Sequence, residues 1–151
     1  MKKILIASTF AMTLAACMGY VPGQQSYWDA QVREMCAKDG GVKVFETVRL
    51  NRQQYSLLLN KFGQLSPPLE NKAGENVPIV HRFTSTYLRR NDPEVRRDEL
   101  LVIRRSDGKV LGISIFYSRV GGDLVALHPS YFSCPEKLVD LFSAVVFQEK
   151  E

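Results

Sequence analysis

Three cysteines, two histidines and a cluster of arginines are the side chains of this 151-residue sequence with the most chemistry to offer. A metal centre needs His, Cys or carboxylates at ligand spacing. His81 and His128 stand in no such pattern, so no metal or other cofactor is expected. A hydrolytic triad needs a nucleophile, a base and a group that orients the base. Ser130, Ser133 and His128 lie close together, but the Gly-x-Ser-x-Gly elbow is absent. Gly40-Gly41 and Gly121-Gly122 lack the context of a phosphate-cradling loop. The arginines say more. Arg82, Arg89, Arg90, Arg96, Arg97, Arg104 and Arg105 fall within one stretch, against the acids Asp92, Glu94, Asp98 and Glu99. A guanidinium grips phosphate or carboxylate with a two-pronged fork. Arg89, Arg90, Arg96 and Arg97 are the expected anion or partner contacts, although solvated strand ends with local ion pairs would use the same residues.

The first seventeen residues decide where such chemistry takes place. Lys2 and Lys3 precede an uncharged apolar or small run from Ile4 to Ala16, then Cys17. The run is shorter than the roughly 20 residues needed to cross a hydrocarbon core of about 30 Å. It has the size of a secretory signal, so residues 1–16 are set aside as a removed signal peptide. Leu14-Ala15-Ala16-Cys17 resembles the lipobox of bacterial lipoproteins. That resemblance implies a diacylglycerol on the Cys17 thiol, cleavage before it, and an acylated N-terminus holding the chain to a membrane. In enteric bacteria an aspartate after the cysteine tends to retain such proteins in the inner membrane. Met18 stands there, so the resemblance implies the outer membrane.

Within that frame the remaining residues sort themselves. Removing sixteen leaves 135, one domain of common size. The charge of +4 includes Lys2 and Lys3; without them 18 basic residues face 16 acidic ones, which gives no case for nucleic acid. The compartment implied by the lipobox is oxidising, and there Cys36 and Cys134 are expected to pair. An alternative is a cell-wall cysteine hydrolase using Cys134 and His128, which requires Cys134 as a free thiolate.

The elements that must position these groups follow from periodicity. Residues 17–26 read as a lipidated tether and 27–151 as a single domain. Trp28, Val32, Met35 and Cys36 share one helical face over 27–38, with Ser26 as a cap and Gly40-Gly41 as a stop. Val42 to Leu50 alternates as a strand, with Glu46 in the apolar phase. Asn51 to Phe62 carries a capping box at Asn51 and Gln54, then Tyr55, Leu58, Leu59 and Phe62 at helical spacing. Residues 64–78 form a long polar loop with Pro67-Pro68, one of two places to look for partner contacts. The other is the aromatic-rich segment 128–135, read as loop over Pro129 to Ser133.

Ile79 to Arg90 alternates, residues 91–98 turn around Pro93, and Glu99 to Arg105 is apolar on both faces. Ser106-Asp107-Gly108-Lys109 is a hairpin turn leading to a strand over 110–119, and Leu124 to His128 reads as a further strand. Ser133 and Glu136 fit a capping box before a terminal helix through Leu138, Leu141, Phe142 and Val145, although 144–147 pair equally well as a strand. These turns resemble those of small Gram-negative envelope lipoproteins, a likeness that implies no activity. The expected fold is α+β, a curved antiparallel sheet with helices packed on one face and one disulfide. The expected protein is a non-enzymatic outer-membrane lipoprotein, held by its lipid and binding an envelope protein or anionic lipid. A second class is an inhibitor of host lysozyme, although the serine- and glycine-rich motif of that family is missing.

Overall fold

The computed structural model describes residues 24–123, 128–136 and 140–149. The lipobox, Cys17, residues 124–127 of the strand expected over Leu124 to His128, and the helix positions 137–139 lie outside the described residues. Within them the fold is α+β: an antiparallel five-stranded sheet, a two-stranded parallel pair and three helices.

Helix α1 (Gln24–Asp39) buries Val32 and Cys36, with Trp28 and Met35 packed beside them, as their spacing demands. It begins before Ser26, so Ser26 lies inside the helix and does not cap it. Two glutamines, both good helix formers, extend it. Its end needs glycine at Gly40: a Cβ there would sit 2.6 Å from the Cys36 carbonyl oxygen, which already accepts the Gly40 N–H at 2.8 Å.

The segment expected as one strand is two. Strand β1 (Gly41–Val44) joins the main sheet, and β2 (Val48–Leu50) belongs to the parallel pair. The break is set by a residue distant in the chain. The N–H groups of Phe45 and Glu46 both donate to the Leu111 carbonyl, at 2.8 and 3.0 Å, which bends the chain off the sheet. The expected helix over 51–62 shrinks to α2 (Arg52–Ser56), although its Asn51–Gln54 capping box forms. The Asn60 side chain takes the N–H groups of Phe62 and Gln64 at 2.9 and 3.1 Å. Such local side-chain acceptors compete with a helical backbone. Leu58 is therefore buried, while Leu59 and Phe62 face solvent.

One turn of 3-10 helix at Glu70–Lys72 interrupts the long loop. Strands β3 (Ile79–Arg89), β4 (Glu94–Arg104) and β5 (Val110–Val120) then form a continuous meander. The first turn is tighter than 91–98. Arg89 closes it by donating from Nε and Nη2 to the carbonyls of Pro93 and Asp92, each at 3.0 Å. The second turn places Gly108 at φ 69°, as its position in the hairpin requires.

Strand β5 has β4 on one edge. Along its other edge β1 pairs with 112–115 and β6 (Tyr131–Cys134) with 117–120, end to end. Part of the segment read as loop is thus a strand, because β5 extends past β1 and leaves an edge to pair. The Cys36–Cys134 disulfide closes where β1 and β6 meet, tying α1 to that junction.

Asp140 caps α3 (Leu141–Val145) by accepting from the Phe142 N–H, the role expected of Ser133. The ambiguous 144–147 segment is both structures: the helix ends at Val145 and β7 (Val146–Gln148) begins at once, parallel to β2. Two apolar clusters result. Val32 and Cys36 pack with Val95, Ile115 and Tyr117. Leu141 and Val145 pack with Leu50, Leu58, Ile79, Val102 and Leu111. Strand alternation puts Ile115 and Gly112 on opposite faces. Gly112 meets α3, so α1 and α3 sit on opposite sides of the sheet.

Candidate functional site

The four arginines expected to meet a partner are largely engaged within the fold. Arg97 bonds Glu99 at 2.8 Å and Asp39 at 3.3 Å, across the end of α1. Tyr117 donates its hydroxyl to the same Asp39 carboxylate at 2.7 Å. That hydrogen bond, aided by Arg97, holds Asp39 below its ordinary value, while burial and the Asp39 charge push the Tyr117 hydroxyl up. Arg89 is fixed by two carbonyls and stacks over Trp28. Arg96 faces Glu94 at 3.2 Å, and Arg90 lies over Tyr87. Arg82 is held bidentately by Glu70. The arginine-rich stretch is therefore held mostly by its own strand and turn, with Arg89 and Arg97 reaching α1 and Arg82 reaching Glu70.

The pair of basic residues at the far end of β4 behaves differently. Arg104 bonds Glu46 and lies 3.5 Å from Asp107, while Lys109 reaches the other Glu46 oxygen at 2.5 Å. Lys109 first, then the Arg104 charge, holds Glu46 below its ordinary value. The carboxylate that the alternation placed among apolar residues is thus half-buried between two cations, because the break after β1 turns it toward the hairpin. Arg105 donates to the carbonyls of Gly74 and Ala73, at 2.6 and 3.3 Å, and its charge helps to lower the Glu70 carboxyl.

Arg104 and Arg105 border an open groove of about 620 Å³. Its floor is Val48, Leu50, Val77 and Ile79; Gln54, Asn76, Arg104 and Arg105 line its sides. Arg49 of β2 stands at the boundary between this groove and a second recess formed by Thr47, Phe147, Gln148 and Glu149. Among the described residues the Arg49 side chain makes no hydrogen bond or ion pair, and Arg104 Nε is buried without a hydrogen-bond partner. An apolar floor flanked by three guanidiniums and two side-chain amides, against the single carboxylate of Glu75, suits a small anionic group carrying an apolar part.

In the alternation from Val42 to Leu50, Arg49 shares a phase with Lys43, Phe45 and Thr47, and the sequence carries no signal that joins it to Arg104 and Arg105, more than fifty residues later. The loop singled out for contacts does supply a wall, through Glu75 to Pro78. The aromatic segment after His128 supplies β6 and no part of the groove. Cys134 is bonded to Cys36. His81 turns Nδ1 to the Pro67 carbonyl oxygen at 2.7 Å and its ring toward Phe142. No cluster of three His, Cys or carboxylate groups suited to a metal occurs among the described residues. No described helix is long and apolar enough to cross a membrane. No family model matches the chain, and no curated protein or solved structure does either.

Proposed function

We propose that the chain is a lipid-anchored protein of the bacterial outer membrane whose folded domain is a non-catalytic binding module. The anchor rests on Leu14-Ala15-Ala16-Cys17. The compartment is supported by the Cys36–Cys134 bond, since disulfides persist where thiols are not kept reduced. The same bond takes the thiolate that a hydrolase acting through Cys134 would need. The observation that carries the binding role is the groove beside Arg49. It holds a guanidinium with no partner among the described residues next to an apolar floor, and an acidic group of an envelope protein or a lipid headgroup matches that chemistry.

Two measurements test the two halves. In cells fed an alkyne analogue of palmitate, the full chain incorporates label and Cys17→Ser does not; equal labelling of both removes the anchor. Titration of the isotopically labelled chain with inorganic phosphate shifts the side-chain Nε resonances of Arg49 and Arg105. Arg82, held by Glu70, stays still. Uniform shifts across all three would mean that the groove selects nothing.

A further inference from the structure

Strand β3 forms one edge of the main sheet, and no described strand pairs with most of that edge. Its odd-numbered residues direct their N–H and C=O groups away from β4. His81 shows the direction: its N–H donates outward to the Pro68 carbonyl at 3.0 Å. Backbone direction repeats every two residues, so Phe83, Ser85 and Tyr87 present theirs to the same side. Beyond His81 no described residue takes these groups, and residues 82–88 are exposed. Natural edges of this length are usually blunted by lysine, proline or a covering segment. Here Phe83 to Leu88 contains neither residue, and both aromatic rings face solvent, Phe83 at 49% and Tyr87 at 41% exposure.

The order of residues on that edge decides what fits it. Phe83-Thr84-Ser85-Thr86-Tyr87 reads as aromatic, threonine, serine, threonine, aromatic in both directions. We propose that this edge pairs antiparallel with the same edge of a second copy of the chain, about a twofold axis at Ser85. Every open backbone group from Phe83 to Tyr87 then finds its counterpart. Phe83 faces Tyr87 of the second copy, Thr84 faces Thr86, and Ser85 faces itself. Aromatic and threonine cross-strand pairs are among those that stabilise antiparallel strands. The surface is used identically by both copies, as closed twofold dimers require. The charge nearest the pairing stretch on its N-terminal side, Arg82, is already offset by Glu70. An unrelated extended peptide would satisfy the backbone but would give the palindrome no role. Neither the anchor nor the groove enters this inference.

Cysteine crosslinking of the full chain in its native envelope tests it. Across a hydrogen-bonded antiparallel pair Cα atoms lie about 5.5 Å apart, within the roughly 4.4–6.8 Å that a disulfide spans. Ser85→Cys is expected to yield a disulfide-linked dimer on mild oxidation, seen by non-reducing electrophoresis. Thr84→Cys alone faces Thr86 and is expected to crosslink at least tenfold less. Combining it with Thr86→Cys restores the dimer. Adding Phe83→Lys to Ser85→Cys is expected to lower the yield at least tenfold. All these positions are exposed, so the fold tolerates the changes. A Ser85→Cys yield no higher than that of Thr84→Cys overturns the proposal. So does a Ser85→Cys product in which the chain is joined to a different protein and not to itself.

Discussion

Arg119 donates from Nε to Asp29 Oδ1 at 2.7 Å with 1% of its side chain exposed. Its Nη1 donates to the Gly121 carbonyl and to the Ser130 carbonyl and hydroxyl. One guanidinium thus joins α1, β5 and the approach to β6. A buried charge of this kind holds only when its donors are satisfied. Removing Asp29 leaves the charge in place without its counter-ion. Asp29→Ala is expected to cost about 3 kcal/mol. Replacing both partners, Asp29→Leu with Arg119→Met, is expected to cost less than Asp29→Ala alone. Urea unfolding midpoints of the two variants order them.

The disulfide closes a separation of 98 residues and fixes α1 to the point where β1 and β6 abut. Cys36→Ser combined with Cys134→Ser is expected to lower stability by roughly 2–5 kcal/mol. Loosening is expected first in β6, which has only four residues in its ladder. Amide hydrogen exchange of Phe132, compared with Val102 in the main sheet, checks the order.

Gly112 is where α3 comes closest to the sheet. A Cβ there would lie 2.9 Å from both Leu141 Cδ1 and Val145 Cγ2, and 3.2 Å from the Lys43 carbonyl oxygen. Gly112→Ala is therefore expected to cost roughly 1–3 kcal/mol through overpacking. Leu141→Ala in the same chain should be partly compensating, so the two losses measured by denaturation fall short of additive.

The Asp39–Tyr117 contact has a pH dependence of defined sign. Asp39 is held below its ordinary value of 3.8, chiefly by the Tyr117 hydroxyl. A carboxyl depressed in the folded state contributes stability present above its unfolded value and lost as pH falls through the folded one. Tyr117 is raised above its ordinary value of 10.0, so its contribution is present below that value and lost as pH rises through the folded one. The stability difference between the native chain and Tyr117→Phe is therefore expected to be largest between those limits. It shrinks below about pH 4 and above about pH 10. Unfolding midpoints across that range measure it, and a constant difference would refute the coupling.

Much of the fold was legible because it is written in local periodicity. Val32 and Cys36 on one helical face, the alternation of β5 and the Gly108 turn needed only neighbours to be read. Readings failed where a distant or competing group intervened. The helix after Asn51 yields to the Asn60 carboxamide, and the strand through Glu46 is bent by a shared carbonyl from Leu111. Arg97 looks as available as Arg49 in the sequence, but it meets Asp39 from a helix 58 residues away.

By itself the sequence determined the lipobox resemblance, the long first helix and the meander of long strands, because each depends on residues within a turn or two of one another. The tertiary structure alone decided that Arg49 has no side-chain partner among the described residues, that none of them covers most of the β3 edge, and where Arg119 buries its charge. Those outcomes depend on pairings between segments far apart in the chain. Side-chain type tells that a guanidinium seeks an anion, but only the folded backbone decides whether one is already within reach.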